Sequence, residues 1–156
     1  AAAFANGGLE AGWSIEPFAL QLEKEGLGRR LVEDHTFGTE LGFIAFNNEF
    51  AKENEDSVVK FLAAFLKAAR QLDNGGWQDD NILEIVSKYT GTEKETLKGI
   101  AYTVRSEDGS IDLASVREQE EFFRARGALE YDGPIDIESV YRTDLLEKAN
   151  ALLAKQ

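Results

Sequence analysis

The sequence predicts an α/β fold, and three observations carry that expectation. Residues 9–15, 29–33 and 41–46 are runs of strand length, two of them rich in apolar side chains. A helical pattern lies between the first two. From Val58 onward, apolar residues recur at helical spacing. With 156 residues, 43% of them hydrophobic and ten of them phenylalanine, the chain has enough apolar material for a buried core.

Taken in order, residues 1–6 read as the end of a helix closed by Gly7-Gly8, the usual C-terminal punctuation. In the run that follows, alternation puts Leu9, Ala11, Trp13 and Ile15 on one face of a strand and Glu10, Gly12, Ser14 and Glu16 on the other. Pro17 suits the first turn of a helix, which then runs to Gly26. Residues 29–33 read as a second strand. The unbroken Leu41-Gly42-Phe43-Ile44-Ala45-Phe46 reads as a third, with the pattern of a strand buried on both faces.

Val58, Leu62, Phe65, Ala69 and Leu72 mark one face of a long amphipathic helix. A helix over 81–90 follows, and Thr92 with Glu95 has the spacing of a capping box that starts another. Helices over 111–127 and 143–155 complete a helix-rich second half. Three short strands leave a sheet with unpaired edges and an uncovered face. The expectation is therefore that further strands precede Ala1 and that this is the C-terminal half of a longer chain. An alanine at position 1 and the absence of methionine agree with a mature protein or a fragment.

Composition removes several function classes. Seventeen basic against twenty-nine acidic residues give a formal charge of −12, which repels phosphate backbones and anionic lipid heads, so no nucleic-acid partner is expected. Without cysteine there are no disulfides, thiolate metal sites or cysteine nucleophiles. No apolar run reaches the roughly 18–20 residues that span a bilayer. His35 is the sole histidine and sits in a polar turn, where a solvated loop residue is the simpler reading. The run from Glu107 to Asp112 has the acidity of a calcium loop but lacks glycine at the sixth position and the closing glutamate. A turn at Asp108-Gly109 and an N-cap at Asp112 account for it. No catalytic residue, metal ligand or cofactor is expected.

The run from Asn6 to Phe18 (Asn-Gly-Gly-Leu-Glu-Ala-Gly-Trp-Ser-Ile-Glu-Pro-Phe), the apolar run 41–46 and the Phe-Leu-x-Ala-x-x-x-Ala pattern of the long helix occur in one order. In that order and spacing the chain resembles the nitrate/sulfonate/taurine and thiamine-precursor binding proteins of ABC importers. Glu10 stands where that family usually has aspartate, and family members run to about twice this length. The resemblance implies the two-lobed, type II periplasmic-binding-protein fold. Residues 1–38 would finish the second lobe, and residues 39–156 would make the hinge crossing and the helical end of the first. It also implies a small-molecule solute held in an inter-lobe cleft, an ABC permease as membrane partner, and a missing N-terminal half of the same chain. The full-length protein would be a monomer in the periplasm or outside the cell, with a membrane anchor compatible in the missing segment.

Glu16 is the first ligand-binding candidate, because it follows a strand and precedes a helix, a favoured location in α/β sheets. An acid there also complements a helix N-terminus without any ligand, and both roles stay open. A ligand at Glu16 would offer a donor or a cation. Ser14 shares its face and ranks next, and Trp13 is either core or an aromatic platform. Thr36 and Phe37, beside the proposed crossing, complete the set. The expected function is solute binding without chemistry. The alternative is a pyrimidine-precursor synthase of the same fold, which depends on a cysteine-rich signature and histidines that this chain lacks.

Overall fold

The computed structural model describes residues 1–32, 38–100, 102 and 106–155. Its regular elements are helices: α1 (Ala2–Ala5), α2 (Phe18–Lys24), α3 (Asn48–Glu53), α4 (Glu55–Asp73), a 3-10 turn at Gly76–Gln78, α5 (Asp80–Thr90), α6 (Lys94–Leu97), α7 (Leu113–Ala125), α8 (Ile137–Val140) and α9 (Thr143–Leu153). None of the described helices is long and apolar enough to cross a membrane.

The expected α/β architecture, with about three strands in a type II periplasmic-binding-protein fold, is overturned. No strand forms among the described residues. Residues 9–15, 29–32 and 41–46 contain no helix and no ladder, and Glu33 lies outside the described residues. The physical reason is that an extended segment becomes a strand only when a neighbour takes its amides and carbonyls. An apolar run can announce the tendency but cannot supply the neighbour. The side chains follow the backbone. Trp13 is 70% exposed and Phe43 58% exposed, where buried strands had been expected.

The chain forms two units, Ala1–His35 with Gln71–Val104 and Thr36–Arg70 with Arg105–Gln156. The first has a thin core. Leu83 of α5 is fully buried and Leu97 of α6 nearly so. Gly76 belongs here for a steric reason: a Cβ at that position would lie 2.5 Å from the Gln71 carbonyl oxygen. Beyond it, the Trp77 indole stacks on the Tyr102 ring at 4.2 Å between centroids. Asp79 caps α5 by accepting from the Asn81 and Ile82 amides, and Gly91 ends it with a φ of +72°.

The second unit is built on α4 and α9. Val58, Ala63, Leu66 and Ala69 form the buried stripe of α4, meeting Leu145 and Ala149 of α9. Val58 and Ala69 were expected on that face, whereas Phe65 turns outward and Leu66 takes its place. Ala63, Leu66 and Ala149 share one buried cluster, against which Val59, Leu62, Leu146, Leu152 and Leu153 pack. Asp112 caps α7 as expected, with its carboxylate accepting from Ala114 and Ser115. The anticipated capping box at Thr92 does not form. α6 starts one residue later, after Glu93, without a side-chain cap.

Side chains tie the loops of this unit to its helices. Glu120 of α7 is buried, and its Oε1 accepts from the Ile135 amide at 2.9 Å and the Tyr131 hydroxyl at 3.2 Å, with Arg124 Nη2 2.5 Å away. The Ile135 hydrogen bond, helped by Arg124 and Tyr131 against the opposing effect of burial, holds the carboxyl below its ordinary value.

Two predictions follow from this packing. Leu83→Ala removes a fully buried side chain and lowers unfolding free energy by about 2–4 kcal/mol in denaturant titration. A loss near zero would show that the first unit's core does not hold it. Glu120→Gln lowers the melting temperature at neutral pH. Because the native carboxyl is depressed, its contribution is complete above the ordinary glutamate range and is lost as pH falls through the lowered folded value. The gap between wild type and Glu120→Gln therefore closes on acidification, and a gap that stays constant down to pH ~2 contradicts the assignment.

Candidate functional site

Gly7 turns the chain after α1, with a φ of +71° that favours glycine. The Gly8 and Leu9 amides then both donate to the Ala3 carbonyl, at 2.8 and 3.1 Å. That pair folds the following segment back over α1. A Cβ at Gly12 would meet the Phe4 ring at 3.5 Å, so the segment passes close to α1 there. The chain enters α2 through the Glu16–Pro17 peptide, and the Ile15 carbonyl accepts from the Ala19 amide.

The result is a shallow, open hollow of about 370 Å³ inside the first unit. Phe4 and Ala3 of α1 make one side. Leu9, Trp13, Ser14 and Ile15 make the second, and Phe18 and Leu22 of α2 close the third. Its size falls within the ordinary range for small-molecule sites; Ala1 also lines it, its walls are mostly apolar, and Ser14 contributes the one side-chain hydroxyl among them. That hydroxyl is 3.5 Å from the Ile15 carbonyl, too long for a strong bond, so it can turn toward a ligand oxygen.

Three of the five residues singled out in the sequence therefore lie within a few positions of one hollow, though not in one role. Trp13 and Ser14 are in its wall. Glu16 faces elsewhere. Its Oε2 accepts from the Leu20 amide at 3.3 Å, and its Oε1 lies 2.6 Å from Arg30 Nη2. Arg30 Nε also donates to Glu23 Oε2 at 2.9 Å, and the Arg30 amide donates to Glu23 Oε1 at 3.1 Å. Burial pulls the guanidinium's pKa down, but the bonds to Glu16 and Glu23 and their charge outweigh it, and the pKa is raised overall. Thr36 and Phe37, like His35, lie outside the described residues.

Arg30 is the residue that reading the sequence missed. It lies beyond the end of α2, so no periodicity within one element points to its pairing with Glu23.

The acidic run at Glu107–Asp112 is committed to structure. The Ser110 amide donates to Asp108 Oδ1 at 2.9 Å and holds that carboxyl below its usual range. Arg70 Nε donates to the Glu107 carbonyl and Asn150 Nδ2 to the Asp108 carbonyl, both at 2.8 Å. Among the described residues no cluster of three or more histidine or acidic side chains is arranged to hold a metal ion.

The chain is 28% identical over 158 aligned residues to a protein of Bacillus subtilis (strain 168) named "Putative aliphatic sulfonates-binding protein". The alignment takes in 96% of this chain and 45% of that protein, so the chain spans a little under half the length of the curated relative it matches. No family model and no solved structure matches it.

Proposed function

We propose that the protein carrying this chain is the extracytoplasmic solute-binding component of an ABC importer, and that it binds a small organic anion with an aliphatic tail without transforming it. The observation that carries this reading is the similarity, over 96% of the chain, to a protein named "Putative aliphatic sulfonates-binding protein". The hollow supports it on physical grounds. Phe4, Trp13, Ile15, Phe18 and Leu22 offer hydrocarbon and aromatic surface to a tail, and Ser14 offers one hydroxyl to a headgroup oxygen. The remaining contacts, including those to a permease in the membrane, come from the full-length protein rather than from these residues alone.

The tail makes the reading quantitative. Each methylene buried contributes about 0.8 kcal/mol, so affinity rises about fourfold per methylene until the hollow is filled. Methane-, propane- and pentanesulfonate, added to the full-length protein in turn, should raise its melting temperature in that order. Nitrate has no tail, and taurine ends its two methylenes in an ammonium group that an apolar wall disfavours, so both should shift it least. A panel without any shift, or a pentanesulfonate no better than methanesulfonate, sinks the ligand class.

A further inference from the structure

We propose that Asn74–Gly75 is a site of spontaneous modification, closing to a succinimide and opening to isoaspartate, and that this product loosens the turn that seats Trp77.

The sequence holds the tripeptide Asn-Gly-Gly twice, at Asn6-Gly7-Gly8 and at Asn74-Gly75-Gly76. In each, the first glycine puts no side chain in the way of its own amide nitrogen. That nitrogen can attack the Cγ of the preceding carboxamide once it has lost its proton and left any acceptor. Asn6, Gly7, Asn74 and Gly75 are all exposed to water, so exposure does not separate the two sites. Hydrogen bonding does.

At Asn6 both reacting groups are engaged. The Gly7 amide donates to the Phe4 carbonyl at 3.2 Å, and Asn6 Oδ1 accepts from the Gly8 amide at 3.1 Å. At Asn74 neither is held. Among the described residues the Asn74 carboxamide has no partner, and the Gly75 amide donates to no carbonyl.

The reaction needs only water and a base. The Gly75 nitrogen gives its proton to hydroxide or buffer and bonds to Asn74 Cγ. The Cγ–Nδ2 bond breaks, and that nitrogen leaves as ammonia. Water then opens the ring at either carbonyl. Breaking the new Cγ–N bond leaves aspartate. Breaking the original peptide bond leaves isoaspartate, whose main chain runs through Cβ and Cγ and is longer by a methylene.

The added length falls where the fold has no slack. A Cβ at Gly76 would lie 2.5 Å from the Gln71 carbonyl oxygen and 3.1 Å from Ile82 Cδ1. The Gln78 amide closes the 3-10 turn on the Gly75 carbonyl at 2.9 Å, and Trp77 of that turn stacks on Tyr102. A longer link ahead of Gly75 displaces this turn, whereas aspartate at 74 adds only a charge at an exposed position.

The test incubates the full-length protein in mildly alkaline buffer and follows both sites by peptide mass mapping, with isoaspartate separated from aspartate by chromatography. Asn74 converts about tenfold faster than Asn6, the ratio expected when two modest hydrogen bonds must be given up at one site only. In urea the two rates converge, because the reacting tripeptide is the same. These rates are read on wild type and need no variant to fold. Equal rates in the native protein, or a ratio that survives in urea, overturn the site. Wild type also melts lower as isoaspartate accumulates, while fresh Asn74→Asp melts with fresh wild type. Asn74→Gln stops the fall on incubation and Asn6→Gln does not. A fall as large in Asn74→Gln as in wild type, or a fresh Asn74→Asp that melts as low as the incubated protein, overturns the effect on the turn.

Discussion

A polypeptide must satisfy its backbone hydrogen bonds somewhere, and in this chain the regular elements do so within themselves. A helix closes each amide on a carbonyl four residues earlier, so it forms wherever local sequence permits. A strand needs a partner segment, and none forms among the described residues. The described architecture is therefore helical, with α4 and α9 contributing to two buried apolar clusters.

Without ladders, long-range order in the second unit rests on side chains that reach distant backbone. Ser115 Oγ accepts from the Glu40 amide, Gln119 Nε2 donates to the Glu40 carbonyl, and Glu40 Oε1 accepts from the Asp112 amide. Arg70 and Asn150 clasp the turn around Asp108 in the same way, with Arg70 Nη2 donating to Asn150 Oδ1. Each is a polar contact specified by one side chain, so each carries more consequence for the fold than one rung of a sheet. Glu120 is the extreme case, because two hydrogen bonds and the Arg124 ion pair converge on one carboxylate oxygen.

The hollow in the first unit shows the same economy. Its walls come from two short helices and the segment between them, and close by in the chain one arginine, Arg30, bridges the two acids Glu16 and Glu23.

Some of this was legible in the residues alone, and the dividing line is range. Helix positions, the glycine end at Gly7 and the cap at Asp112 depend on neighbours within about four residues. They follow from the sequence read locally, as does the cluster of Trp13, Ser14 and Glu16 on one short segment. Three other features depend on residues distant along the chain. Whether 9–15 and 41–46 pair as strands rests on a partner that no local pattern reveals. The rotation of α4 that buries Leu66 and exposes Phe65 was set by the fit of Ala63 and Leu66 against Ala149. Glu16 turned from the hollow to Arg30 because a half-buried carboxylate is stable only beside a compensating charge, and where that charge lies in space is a tertiary fact.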